Sequence, residues 1–502
     1  MQPTIFLDFN LPNSATWLYF SLILSIALFF QFGRLLSVRN LDLLTLFLMA
    51  PGFLLLQEAH ALLSKAEKVS AAAPGHSLRD ESLAAIAFFS AGGPGVISGA
   101  TRQDAGFAAQ EKMAATAREA AALNERGKRE VFFGYAWLIV GSAYWFGRAM
   151  VDLALVRRPV MSPNLNTTGL GWLGLALVFC LTAVAVRRTT EPFVAGPVGH
   201  RPISIEQFQD GAAAVVREAQ AGAGEAWSAE TPVQVQRVLA VVCHLAVVVG
   251  LLMIGLRHFQ DLTTGMALGT IYLLVPYTAF HIAQFHLVWP AAFVTWAIFC
   301  YRRPVISGWL LGLAGGSAFV PLLLFPLWVG FYARRGAVRF AMAYLLAVGL
   351  SFGVTALLLW WEGWFSAGVV PPGLLDWLPW RRSEAESIWT GAHWAYRLPV
   401  FVLYVGFLGA IALWPSPKNL SHLVSLSAAV LIGVQFWHAD RGGVYVLWYL
   451  PLILMMTFRP TLIGHEPPVM EASEGRMLRW AGAAWRRVRP SRGDGATNEL
   501  AV

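Results

Sequence analysis

Ten segments of this chain are apolar enough and long enough to belong in a bilayer rather than in water. They cover residues 17–32, 43–57, 131–155, 169–186, 235–256, 309–332, 337–361, 394–414, 420–437 and 444–458. A bilayer core is about 30 Å thick, so a helical crossing takes roughly 20 mostly apolar residues. Inside lipid each backbone amide must be satisfied within its own segment, which leaves the helix as the only choice for runs of this composition. The expected fold is all-α: a polytopic transmembrane helix bundle of about eleven to thirteen spans. Its expected location is the cell membrane, as a multi-pass protein of a bacterial inner membrane.

Of the 502 residues, 57% are hydrophobic and 13% charged, against about 25% charged in a soluble protein. The net charge of +8 comes from Lys and Arg at span ends and in the tail, where they favour the cytoplasmic side and anionic lipid. A nucleic-acid partner is not needed to explain it. Cys180, Cys243 and Cys300 all sit in apolar runs, so neither a disulfide framework nor a zinc site is supported. The N-terminus lacks a basic n-region and a small-residue cleavage site, so 17–32 reads as a retained span.

The chain divides into an N-terminal membrane region (1–188), a polar linker (189–234), a core bundle (235–458) and a basic tail (459–502) expected to be disordered and cytoplasmic. The first region is interrupted by a polar excursion, 59–130, whose Ala, Glu, Lys and Arg content over 103–130 predicts a surface helix. Arg302, Arg303, Arg334, Arg335, Lys418 and the tail arginines predict a cytoplasmic face, which puts the Trp-rich loop 361–393 and the turn 438–443 outside. Between the two Arg pairs, Gly315 and Gly316 predict a hairpin of two short helices. For the N-terminal half the signals conflict. Arg34, Arg39, Arg157 and Arg158 argue one parity, Arg187, Arg188 and the 126–129 cluster the other.

Four loci could carry chemistry. Arg148 and Asp152 are four residues apart on an apolar helix and can pair, with Arg157 and Arg158 just beyond. Such a pair at membrane depth is a functional hypothesis by default; a structural pair at a helix end is the alternative. His281, Gln284 and His286 follow the helix-breaking Pro276, with His281 and Gln284 expected on one helical face, to line a site or to bond neighbouring helices. The tryptophans of 361–393 could stack on a sugar or an isoprenoid chain, or form an interfacial belt. His438, Asp440 and Arg441 could line a site mouth or form a solvated turn. No nucleophile elbow, phosphate loop or His-Glu-x-x-His helix occurs.

Residues 262–332 resemble the middle of GT-C superfamily membrane glycosyltransferases, above all the bacterial branch that uses polyprenyl-phosphate-mannose. The resemblance rests on Pro276 and on Ala283-Gln284, where that branch often has Gly-Gln. It continues through Arg302-Arg303-Pro304, the hairpin from Gly308 to Pro321, Pro326, and Arg334-Arg335; Asp440 to Pro451 is similar in kind. The chain departs from the family at Ser317, Ala318 and Phe319, where a Lys is common.

The resemblance implies an inverting transferase moving a hexose such as mannose from a lipid-phosphate donor to a glycan or lipid acceptor of the cell envelope. The family's catalytic Asp lies in a first external loop, which makes Asp42 or Asp152 the expected base if the N-terminus is cytoplasmic, and Asp8 or a carboxylate of the long polar segments if it is not. Arg148, Arg157, Arg158 and Arg441 are then the phosphate-binding candidates, and His281, Gln284, His286, His438 and Asp440 further substrate contacts. No cofactor is called for, and a divalent metal stays open. The alternatives are a transporter or flippase, against which the lack of an internal repeat counts, and a non-catalytic subunit of a membrane complex.

Overall fold

The computed structural model describes residues 14–71, 99–155, 163–187, 203–222, 231–333, 336–361, 387–389, 391–438, 445–460, 462 and 464–467. Among them there is no strand. In chain order the α-helices are α1 Ser14–Phe29, α2 Val38–Thr45, α3 Ala50–Ala71, α4 Gly99–Asp152, α5 Thr167–Arg187 and α6 Ile203–Gly222. Next come α7 Thr231–Ile254, α8 Leu262–Leu274, α9 Pro276–Phe280, α10 Phe285–Phe299, α11 Pro304–Ser317 and α12 Phe319–Leu322. The chain closes with α13 Phe325–Phe331, α14 Ala337–Trp361, α15 Leu398–Leu413, α16 Leu420–Trp437 and α17 Val446–Phe458. Among the described residues six helical stretches are long and apolar enough to cross a membrane, and five further apolar helices are shorter.

The helices alternate in direction, and hydrogen bonds between their ends define two faces of the bundle. At one face Arg39 Nη2 donates to Phe29 O (3.1 Å), Asn164 N to Leu28 O (2.8 Å), Tyr332 Oη to Tyr301 O (2.5 Å) and Leu420 N to His465 O (2.9 Å). This arginine-rich end holds Arg34, Arg39, Arg148, Arg257, Arg302, Arg303, Lys418 and Arg459. At the far end Arg237 Nη1 donates to Val186 O (2.8 Å), where α5 finishes and α7 begins.

The turn after α1 is built by one side chain. Asn40 Nδ2 donates to the carbonyls of Gln31, Arg34 and Leu35 at 2.9–3.2 Å, and its Oδ1 accepts from Gln31 N at 3.0 Å. The α2 helix that follows is amphipathic in an inverted sense. Arg39, Asn40 and Asp42 are buried, while Val38, Leu41 and Leu44 point outward. Such an arrangement suits a helix whose surroundings are hydrocarbon and whose polar partners lie within the protein. Where α2 gives way to α3, Tyr277 closes the break: its hydroxyl donates to Leu46 O (2.6 Å) and accepts from Met49 N (3.2 Å).

The helix expected over 103–130 is present and shares one helix with the apolar stretch that follows it: α4 is unbroken over 54 residues, about 80 Å at helical rise, while α3 runs on to Ala71. The reason is local. Ala, Glu, Lys, Arg and Gln favour helix, and no proline interrupts the run. The two antiparallel helices leave the far end as a polar arm, cross-tied where Arg126 meets Glu130 (2.8 Å) and Glu58 (3.4 Å).

The linker 189–234 contains α6, and α7 starts at Thr231 with Pro232 in its first turn, where proline fits. The hairpin expected between the Arg pairs is present. Helix α11 ends at Ser317, Ala318 is extended (φ −147°, ψ 133°), and α12 and α13 return the chain. Between α7 and α8 the chain makes a short π-helical turn, Gly255–Phe259, and packs so closely that a Cβ on Gly255 would lie 2.2 Å from Gly265 Cα.

Candidate functional site

Both expected bases belong to one buried ionic knot at the arginine-rich end. Arg148 grips Asp42 through Nε–Oδ1 (2.9 Å) and Nη2–Oδ2 (2.7 Å), and reaches Asp152 Oδ1 through Nη1 (3.3 Å). Asp152 Oδ2 also accepts from Arg459 Nη2 (2.8 Å) and from the Ser425 hydroxyl (2.6 Å). The Asp152 side chain is 0% exposed and that of Asp42 3%. Two carboxylates against two guanidiniums make the knot neutral, which is how ionised groups survive at such depth. It ties α2 and α4 to α16 and to the segment leaving α17.

Asp42, Asp152, Arg148, Arg302 and Lys418 all lie at one end of the bundle.

The carboxylates are therefore engaged on both oxygens. A general base needs a free lone pair within reach of the acceptor proton. In this geometry both carboxylates are held by buried guanidiniums, which gives them a structural task in tying the helices together.

The remaining residues gather at the far end. His281 and Gln284 were expected on one helical face, yet Pro276 restarts the chain so late that α9 lasts five residues and the two fall in the turn before α10. They still meet, with His281 Nδ1 2.8 Å from Gln284 Oε1. His281 is buried beside the Phe53 ring (centroids 5.7 Å), and His286 occupies the first turn of α10.

One turn further, Trp289 Nε1 donates to Ser317 Oγ (3.1 Å), joining the end of α11 to α10. Phe319, the next described residue past the break at Ala318, stacks on His438 (5.9 Å, 25°), and Trp389 Nε1 donates to Phe436 O (3.0 Å). The far end thus brings His281, Gln284, His286 and His438 to one side of the bundle. None of these four takes part in the knot of Asp42, Asp152 and Arg148. Arg157, Arg158, Asp440, Arg441 and all of the Trp-rich loop before Ser387 lie outside the described residues.

Several members of these groups escaped sequence reasoning. Arg459 reads as an ordinary anchor after an apolar run, and Ser425 as one serine among several in α16. Trp289, Ser317 and Phe319 show only as aromatic and small residues in apolar helices. Among the described residues no three His, Cys, Asp or Glu side chains converge to hold a metal ion. No family model, no curated protein and no solved structure matches this chain.

Proposed function

We propose that this protein is a multi-pass membrane glycosyltransferase. It moves a hexose such as mannose from a polyprenyl-phosphate donor to a glycan or lipid acceptor of the cell envelope, working at the far end of the bundle. The supporting observation is the Trp289–Ser317 hydrogen bond. It draws together two helix breaks, at His281–Gln284 and at Ala318, beside the stacked Phe319 and His438. Helix breaks at a membrane face present polar backbone where a head group can sit, and neighbouring rings suit a sugar.

In this reading the six long and five shorter apolar helices among the described residues are each a pass, and so are α4 and α11. The positive-inside rule then makes the arginine-rich end cytoplasmic and the far end external. In this reading Asp440, two residues past His438, deprotonates the acceptor hydroxyl. The hydroxyl oxygen attacks the anomeric carbon, and the polyprenyl phosphate leaves with the bonding electron pair.

Membranes containing the protein, given polyprenyl-phosphate-[14C]mannose, should transfer label to endogenous acceptor. Asp440→Asn should lower that rate by about 10²-fold or more, on the scale of a lost general base. Asp42→Asn, assayed per folded molecule, should keep it. No transfer of any hexose by the wild-type protein, or full transfer by Asp440→Asn, defeats the proposal.

The arm of α3 and α4 favours a second reading, a non-catalytic subunit that docks a partner through it. Recovery of a stoichiometric partner that is lost when the arm is shortened would support that reading over the first.

A further inference from the structure

A second polar cluster at the arginine-rich end has no part in the knot. Its hub is Tyr301, which is buried beneath the turn from α10 to α11. Arg302 Nε lies 3.1 Å from the Tyr301 hydroxyl, with its guanidinium 5.7 Å from the ring centroid. The His258 ring meets Tyr301 edge-on at 5.0 Å, and His258 Nε2 lies 2.8 Å from Phe299 O. That contact makes Nε2 the donor, and Nδ1 is left buried with no hydrogen-bond partner among the described residues. His465 approaches from the segment after α17 and lies close to both Arg302 and the His258 backbone.

The cations bearing on His258 are Arg302 and Arg257, with His465 beside them. Among the described residues neither Arg257 nor Arg302 forms an ion pair. The nearby Asp261 is spent on capping α8, accepting from Thr263 N (2.9 Å) and from the Thr264 hydroxyl. Glu466 follows His465 in the chain and is exposed. Arg257 and Arg302 are exposed at the rim of the buried His258 and Tyr301, where an anion arriving from outside would complete the group.

The surroundings indicate which anion. Arg257 follows the exposed Leu256, and Arg302 and Arg303 precede the exposed Val305 and Ile306. Cations set directly against outward-facing apolar side chains meet a head group and its acyl chains together. Basic pockets between transmembrane helices bind anionic lipid phosphates in this way. A guanidinium also matches the phosphate oxygens with paired donors.

We propose that Arg257, His258, Arg302 and His465 form a site for the phosphate of an anionic phospholipid. The lipid's acyl chains lie along Leu256, Val305 and Ile306. A proton on His258 Nδ1 would turn that unpartnered atom into a donor toward the phosphate, alongside the two arginines. Occupancy would bridge the π-helical turn after α7, the start of α11 and the segment after α17.

The full-length protein, purified in a neutral detergent, is to be titrated with dioctanoyl-phosphatidylglycerol, dioctanoyl-phosphatidylcholine or sodium phosphate at matched ionic strength. Thermal unfolding and lipid retention in native mass spectrometry are the two readouts. Phosphatidylglycerol should raise the unfolding midpoint and be retained, and the other two should do neither. Arg257→Gln/Arg302→Gln should weaken the apparent Kd for phosphatidylglycerol at least tenfold, and Arg126→Gln on the arm should leave it unchanged. If the double variant does not fold, His465→Ala must show the weakening in its place. Equal response to phosphatidylcholine, or wild-type affinity in the variants, overturns the site. A response that sodium phosphate reproduces overturns the lipid and leaves a soluble anion.

Discussion

Arg148 holds Asp42 by both carboxylate oxygens, at 2.9 and 2.7 Å, across 106 positions of sequence. A fork-to-fork pair of this kind fixes orientation as well as distance, and it is stronger than an ordinary ion pair. Removing one partner strands a buried charge at a cost of about 3–5 kcal/mol. Arg148→Met should therefore cost stability on that scale, read as a large fall in the unfolding midpoint in detergent. Asp42→Asn/Arg148→Met should cost less than the sum of the two single changes. Additive losses would show that the pair is not coupled.

The contact between Gly255 and Gly265 leaves no room for a methyl group. Overpacking of that kind costs about 1–3 kcal/mol. Gly255→Ala should lower stability accordingly and disturb the turn that carries Arg257 and His258. Gly211 in α6 has nothing within 4 Å of an added Cβ, so Gly211→Ala should raise stability by about 0.5–1 kcal/mol through helix propensity alone. The opposite signs make these two variants a matched test, read by thermal unfolding.

Orientation can be checked by chemical labelling. In a background with Cys180, Cys243 and Cys300 replaced, Lys65→Cys on the arm should react with an impermeant maleimide in intact cells. Gln260→Cys, beside Arg257, should react only after the membrane is opened. Labelling of both from the same side would refute the two-ended arrangement.

His465 lies outside the spans, and burial together with the Arg302 guanidinium pushes its ring below the ordinary value of 6.5. The unfolded chain then binds a proton more readily than the folded one. The sign follows from linkage: stability falls as pH drops from about 6.5 toward the depressed native value. His465→Gln should flatten that part of the pH–stability curve, measured by thermal unfolding between about pH 7 and 5. An unchanged slope would mean that His465 makes no net contribution.

Hydropathy made most of the membrane helices legible, and the glycine pair at 315 and 316 marked the hairpin between α11 and α13. Helix propensity correctly predicted that 103–130 is helical, but it could not reveal that this stretch shares one helix with the span after it. The pairing of Arg148 with Asp152 was visible because four residues make one turn. The pairing with Asp42 was not, since nothing local records a contact across 106 positions. One signal was available and unread: Arg39, Asn40 and Asp42 alternate with Val38, Leu41 and Leu44, the mark of a helix that turns its charges inward. His281 and Gln284 were placed near one another for the wrong reason. Their spacing suits a helix, whereas the turn after α9 is set by Pro276.

The unbroken course of α4 has a mechanical consequence. The start of α4 and Asp152 are opposite ends of a single stiff shaft, so a force that tilts the arm also applies torque to the junction that Asp152 shares with Arg459.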